Sequence, residues 1–209
     1  MNGLMNGEID IINNLTRHKI EPEDVYVFSL ILADNEMGNN YERFSDESIR
    51  KLEQLFYGVS GTINFESNKK QKARIFSCRT ETVLDKKTFD GRDFVRLTAR
   101  AYTLKTDDSS ELFMKFNDGI TKEASIGCSV SKRVCSICGR ENISCSHISG
   151  KEYDGKLCYM TLCEPADAYE WNLNITSTSK KINTNKLTKF LQMLKQVKLF
   201  LKGVKSWDL

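Results

Sequence analysis

The stretch QKARIFSCRTETVLDKKTFDGRDFVRLTARAYTL, residues 71–104, decides the fold class. Its two flanks, 71–84 and 93–104, contain the β-branched and aromatic residues that are typical of strands. The connection between them, 85–92, includes the pair Asp90-Gly91, which favours a tight hairpin turn. We therefore expect two strands that pair with one another.

Other segments around this hairpin also predict strands. Residues 25–33, VYVFSLILA, have the composition of a buried strand, residues 123–130 alternate in the way a strand does, and 167–175 fit a last strand. Ser45 is a suitable N-cap for one helix, whose apolar residues recur at helical spacing until Gly58. The expected fold is mainly β, of the α+β class, in the form of a barrel or a sandwich.

Composition divides the 209 residues into three regions. Residues 1–22 are polar and are expected to form a flexible N-terminus. Residues 23–175 form the expected folded domain, which includes a short helix predicted at 111–117. Residues 176–209 begin as a Ser/Thr/Asn/Lys-rich linker and continue into a predicted basic amphipathic helix. That helix either packs on the domain or docks on an acidic partner or a membrane surface.

The overall composition is that of a soluble globular protein. Hydrophobic residues make up 40% and charged residues 28%. The formal net charge of +3 is too small to indicate nucleic-acid binding by itself. No run approaches the roughly 18 apolar residues that a membrane-spanning helix requires, and the N-terminus lacks the pattern of a secretory signal. We therefore expect no membrane span and synthesis in a cytoplasm.

The cysteines are clustered. Five of the seven lie within residues 135–163. An odd, clustered set argues against a disulfide framework and favours a metal site in a reducing compartment. Cys135 and Cys138 form a CxxC knuckle that ends at Gly139, and Cys145 and His147 follow two positions apart, where an extended segment places both side chains on one face.

These four side chains form a Cys₃His set, which is a usual ligand set of structural zinc. We predict a structural Zn²⁺ site within a small knuckle, residues 133–150. The predicted ligands are Cys135, Cys138, Cys145 and His147. Cys158 is an alternative to His147 as the fourth ligand. A redox-active CxxC pair is the other interpretation, but the βαβ setting of thioredoxin-like motifs is not visible here.

A set of short segments occurs in a characteristic order along the chain. The segments are DNE at 34–36, ERF at 42–44, QKARIF at 71–76, KEASIGCSV at 122–130, the Cys135 to His147 knuckle, YDGKLC at 153–158 and DAYEW at 167–171. In this order they resemble the prohead (capsid maturation) proteases encoded beside the capsid genes of tailed phages that infect low-GC Gram-positive bacteria. The resemblance covers about residues 15–172 and implies an assemblin-like β-barrel with flanking helices.

The resemblance also implies a function. Members of this family cleave scaffold or capsid-protein extensions inside the assembling prohead, with a serine nucleophile and a histidine base. The chain is therefore expected to act in capsid assembly and virion maturation, in the host cytoplasm within assembling proheads. The expected partner is phage scaffold or major capsid protein. Self-association into a homo-oligomer is an alternative that the sequence leaves open. Nucleic acid is not an expected partner, because the basic residues lie in the tail and are not interleaved with aromatic residues on strands.

The resemblance places the catalytic serine at Ser125 and an orienting acid at Glu170. A serine hydroxyl needs a base to remove its proton, and Gly127 would let backbone approach a substrate or an oxyanion. Without the resemblance, Ser125 is an ordinary strand serine and Glu170 a solvated carboxylate.

The position that the resemblance assigns to the histidine is occupied by Phe65. The chain has only two histidines: His147 is assigned to zinc, and His18 precedes the first strand. Phenylalanine cannot accept a proton, and loss of one triad member typically costs several orders of magnitude in rate. Two versions of the function follow, an active serine endopeptidase with an unusual base and a catalytically degraded relative that serves in assembly or scaffold binding. A zinc-stapled nucleic-acid-binding module is an alternative of a different class.

Overall fold

The computed structural model describes most of the chain. The described residues are 4–65, 70–106, 124–141 and 144–175. The helix predicted at 111–117, and the linker and basic helix predicted at 176–209, lie outside them. In the described part strands predominate, so the chain is mainly β, as the sequence predicted.

Two helices, one 3₁₀ helix and nine strands make up the described part of the chain. In order they are α1 (Glu8–Asn13), the 3₁₀ helix (Pro22–Asp24), β1 (Val25–Asp34), β2 (Glu42–Phe44), α2 (Asp46–Leu55), β3 (Ser60–Phe65), β4 (Lys70–Lys87), β5 (Asp93–Leu104), β6 (Ser125–Cys135), β7 (Glu152–Tyr153), β8 (Lys156–Leu157) and β9 (Met160–Ile175). Seven of the strands form one mixed sheet, and β7 and β8 form a separate small hairpin.

The predicted hairpin is confirmed as the antiparallel pair β4–β5. Gly91 in its connection has a φ of 82°, a left-handed conformation that glycine adopts without strain. On the far side of β5 lies β1, and on the far side of β4 lies β3, both antiparallel. These four strands form one half of the sheet.

Strand β9 organises the other half of the sheet. One of its edges pairs in parallel with β2 at residues 160–162 and with β3 at 171–175. Its other edge pairs antiparallel with β6 along almost its whole length. Helix α2 connects β2 to β3, which both run parallel to β9, and it buries Ile49 and Leu52. Ser45 caps α2 as predicted, since its hydroxyl oxygen accepts a hydrogen bond from the Ser48 N–H at 3.1 Å.

The barrel expected from the sequence is not closed. Where β1 and β6 approach one another, the Ala124 N–H donates to the Ile31 carbonyl at 3.1 Å, but the described residues of the two strands form no ladder. A bulge in β1 between Ile31 and Ala33 lies at this opening. A shallow cavity of about 210 Å³ lies at this gap, between Leu32 and Ile126.

The main core lies between α2 and the inner face of the sheet. Trp171, 1% exposed, is its largest fully buried side chain. The indole N–H donates to the Val59 carbonyl at 3.2 Å, so its polar atom is satisfied. Around it pack buried residues of β1, β3, β4, β5 and α2, among them Phe28, Ile49, Leu52, Ile63, Ile75 and Leu97.

The described part of the N-terminus packs on the sheet, whereas the sequence predicted a flexible region at 1–22. Ile12 is completely buried in a second core cluster with Val27 and Phe76. Glu8, four residues earlier and therefore on the same helix face, accepts a hydrogen bond from Arg100 Nη2 at 2.7 Å. Leu4, Ile9 and Leu15 also pack against this cluster, and the polar average composition of the region hides these few contacts.

We expect Glu8→Ala to lower the free energy of unfolding by about 3 kcal/mol, because the substitution removes the carboxylate that neutralises Arg100 in a largely buried place. The two side chains are only 8% and 15% exposed. Urea titration measures the effect. Glu23→Ala, at an exposed position of the 3₁₀ helix, is the matched control and should change stability by less than about 0.5 kcal/mol. Equal stability of the two variants would show that α1 does not anchor the fold.

Candidate functional site

The CxxC segment forms a tight turn at the end of β6. The Cys135 N–H donates to the Arg140 carbonyl at 2.9 Å, and the Gly139 N–H donates back to the Cys135 carbonyl at 2.9 Å. Gly139 has a φ of 67°, which lets the chain reverse within this short loop. The turn is tied to the start of β9, since the Ser136 N–H donates to the Tyr159 carbonyl at 3.0 Å.

The structure brings the four predicted metal ligands together. Their donor atoms, from Cys135, Cys138, Cys145 and His147, all lie within 4.8 Å of one another. The Cys138 and Cys145 sulfurs are 3.5 Å apart, and Cys145 Sγ is 3.4 Å from His147 Nδ1. Two sulfurs bound at about 2.3 Å to one tetrahedral ion stand about 3.8 Å apart. The cluster therefore has the dimensions of a single four-coordinate metal site.

Backbone N–H groups donate hydrogen bonds to two of the thiols, which favours the thiolate form that binds cations. The Ile137 N–H donates to Cys135 Sγ at 3.4 Å, and the His147 N–H donates to Cys145 Sγ at 3.3 Å. Burial raises the pKa of Cys135, but hydrogen bonds from the backbone of Cys138 and Ile137 outweigh it and bring the pKa down to about 6. Burial raises the pKa of Cys145 to about 11. One thiolate is thus already favoured without metal, and a bound cation would deprotonate the others.

Tyr153 supports the histidine ligand and was not identified from the sequence. Its ring meets the His147 ring edge-on at a centroid distance of 4.5 Å. Its hydroxyl oxygen accepts a hydrogen bond from the Ile148 N–H at 3.0 Å, which fixes the backbone that follows the ligand. The nearby Asp154-Gly155 turn between β7 and β8 was the available signal, because it orients Tyr153 towards the knuckle.

Cys158, the alternative fourth ligand, lies next to the cluster. It is completely buried, and its sulfur is 3.9 Å from Cys135 Sγ. The compact group of four donors nevertheless contains His147 rather than Cys158.

Strands β6 and β9 place the two residues implied by the family resemblance on one face of the sheet. Ser125 pairs with Asn172, and Gly127 pairs with Glu170, so Ser125 and Glu170 belong to alternate positions of neighbouring strands. The Ser125 hydroxyl donates to the Asn172 carbonyl at 3.3 Å. A backbone carbonyl cannot act as a general base, and Glu170 is exposed to solvent.

Gly127 has a different role from the one expected. A Cβ atom at this position would lie 2.6 Å from Glu170 Cγ and 2.6 Å from an atom of the Tyr169 ring. The absent side chain therefore makes room for two side chains of β9 that cross over the strand. The glycine is explained by this packing and not by an open approach for substrate.

Neither histidine is placed to serve Ser125. His18 is exposed in the connection after α1, and His147 lies in the knuckle beyond the other end of β6. At about 3.3 Å per residue, the ten-residue separation along β6 puts the cysteine cluster roughly 30 Å from Ser125. The backbone of Phe65 pairs with Ile175, three positions along β9 from Asn172.

Comparisons with family models, with curated proteins and with solved structures found no match to this chain. Among the residues that the structure describes, no helix has the length and apolar character needed to cross a membrane.

We expect the purified protein to carry about one metal ion per chain, as a single four-donor site implies. Cys138→Ser should abolish this stoichiometry and increase hydrogen exchange in residues 133–150, because the segment has little apolar core of its own. Elemental analysis and hydrogen-exchange mass spectrometry measure both effects. Cys163→Ser, which changes a thiol outside the cluster, should leave the metal content unchanged. A metal-free wild type, or metal retained in Cys138→Ser, would contradict the assignment.

Proposed function

We propose that this chain is a capsid-assembly protein of the prohead-protease type, with a structural zinc knuckle and a degraded catalytic site. The observation that carries the proposal is the placement of Ser125 and Glu170 on one face of two paired strands. This placement supports the proposal because the resemblance assigns the two residues to one site. The proposed partner is phage scaffold or major capsid protein, met in the host cytoplasm within assembling proheads.

Zinc is the proposed metal because of the donor chemistry. Three thiolates and one imidazole suit a borderline-soft divalent ion and exclude magnesium and calcium, which prefer oxygen ligands. Four protein donors fill a tetrahedral shell and leave no open position for substrate or water. The buried residues near the cluster are Cys135, Cys158 and Met160, a core too small to hold the knuckle without a further cross-link. The proposed role of the metal is therefore structural.

The degraded site follows from the absence of a suitable base at Ser125 among the side chains that the structure describes. General acid–base assistance contributes about 10² to 10⁴ in rate. Glu170 is exposed to solvent, and the resemblance gives it an orienting role and not that of the base. The hydroxyl also donates to the Asn172 carbonyl, so attack would require that bond to break. The proposed activity of the wild type is therefore binding of the assembly partner, with little or no cleavage.

A nucleic-acid-binding zinc module is the competing function, and the knuckle offers it little support. Two cations at the start of the knuckle, one of them in the residue just before it, are paired with carboxylates. Lys132 Nζ lies 3.7 Å from Glu141 Oε1, and the Arg133 guanidinium contacts the Glu42 carboxylate. Paired cations attract phosphate less strongly than free ones, which disfavours a phosphate-binding face here.

We expect the wild type to be nearly inert towards its cognate scaffold or capsid protein, and two different histidine substitutions to restore cleavage. Phe65→His follows the resemblance. Asn172→His follows the register, because Asn172 is directly opposite Ser125, where Cβ atoms of paired residues are about 5 Å apart. Either should raise the single-turnover cleavage rate by about 10².

Ser125→Ala in each histidine background is the matched control and should remove the gain. Cleavage is followed by gel electrophoresis and mass spectrometry of the products. Efficient cleavage by the wild type that Ser125→Ala stops would show an intact enzyme whose base lies elsewhere. No gain in either background would remove Ser125 as a nucleophile.

We propose that the lysine-rich tail binds an acidic surface of the scaffold protein. Deletion of the tail tests whether it is needed for this binding. Deletion of residues 183–209 should leave the circular dichroism spectrum of the folded domain unchanged and abolish capture of the cognate scaffold. The wild-type interaction should weaken as salt is raised, since screening shortens the range of charge attraction. Unfolding of the truncated protein would instead assign the tail to the core.

A further inference from the structure

Cys158 lies at the distance from the cluster that a metal ligand would have, although it is not one of the four clustered donors. Its sulfur is 3.9 Å from Cys135 Sγ, close to the roughly 3.8 Å that separates two sulfurs on one tetrahedral zinc ion. The backbone fixes it there. The Cys158 N–H donates to the Lys151 carbonyl at 2.8 Å, and the Gly150 N–H donates to the Cys158 carbonyl at 2.8 Å.

His147 is held less firmly than Cys158. It is half-buried and lies in the irregular segment 145–148, whereas Cys158 is completely buried. The contact that orients its ring is the edge-on packing of Tyr153. The fourth donor position is therefore flanked by an imidazole on the outer side and by a thiol on the buried side.

We propose that Cys158 is a reserve ligand, so that the cluster holds its ion with either His147 or Cys158 as the fourth donor. The proposal rests on the metal site described above. In the exchange the bond from metal to imidazole nitrogen breaks and a bond from metal to the Cys158 sulfur forms. The thiol proton passes to solvent, and neither the metal nor the sulfur changes oxidation state. Zinc accepts both sets, and a softer, thiophilic ion such as Cd²⁺ selects the four-thiolate set.

The alternative explanation is that Cys158 only fills space. It packs in a small cluster with Cys135 and Met160, and free cysteine often behaves as a small apolar residue. A space-filling residue and a reserve ligand differ in one measurable respect. Only the ligand becomes essential for metal binding once His147 is removed.

The experiment compares the full-length wild type with His147→Ala, Cys158→Ser, the double variant and the control Cys163→Ser, each loaded with Co²⁺ and with Zn²⁺. Each single variant should keep about one ion per chain, whereas the double variant should lose more than about 100-fold in affinity because three donors remain. The sulfur-to-cobalt charge-transfer absorption should be stronger in His147→Ala than in Cys158→Ser, in the ratio of four thiolates to three. Cys163→Ser should match the wild type.

If the wild type binds metal normally but His147→Ala does not, Cys158 is not a reserve ligand. The metal site itself would not be contradicted by that result. A wild type that binds no metal would overturn the site itself. If His147→Ala does not fold, ¹¹³Cd NMR of the wild type decides. Its cadmium signal should be that of four thiolates and should move to the position of three thiolates and one nitrogen in Cys158→Ser. A signal that Cys158→Ser does not move would overturn the proposal.

Discussion

The structure depends on the contact between Trp171 and Gly61. In the parallel pairing of β3 with β9 these two residues are direct partners. A Cβ atom at position 61 would lie 2.2 Å from the indole ring, so the ring can cover the strand only because residue 61 has no side chain. This contact joins the four-stranded half of the sheet to β9. A slip of one residue would turn every side chain of β9 to the opposite face, which makes the register unique.

The pairing of β9 with β3 on one edge and with β6 on the other positions both candidate sites. Towards the C-terminal end of β9, it places Asn172 between Thr62 of β3 and Ser125 of β6. At the N-terminal end, it places Met160 opposite Cys135, so the knuckle begins where the sheet ends. The knuckle therefore extends from the best-packed strand pair in its half of the molecule. Its own buried contacts are few, which is why a metal ion would contribute most of its rigidity.

The sequence predicted the features that local chemistry determines. The Asp90-Gly91 turn, the Ser45 cap and the Cys₃His spacing each need only a few neighbouring residues, and all three are present in the structure. The features it missed depend on distant residues. The last strand begins at Met160 and not at 167, because its pairing with β6 continues past a bulge at Ala166 as far as Met160, opposite Cys135. Closure of the barrel likewise depends on the meeting of β1 and β6, which no local pattern encodes.

The two candidate sites differ in whether the packing of their residues is enough to explain them. Ser125 donates to a neighbouring strand, and Gly127 makes room for Glu170, so both have packing roles that require no reaction. The metal cluster has no such account. Cys135 packs in the small core of the knuckle, but Cys138 is exposed to solvent, and packing does not require three thiols and an imidazole within 4.8 Å. A group of soft donors with tetrahedral dimensions suits a metal ion, and the knuckle is therefore the part of this fold whose chemistry is most directly readable from its geometry.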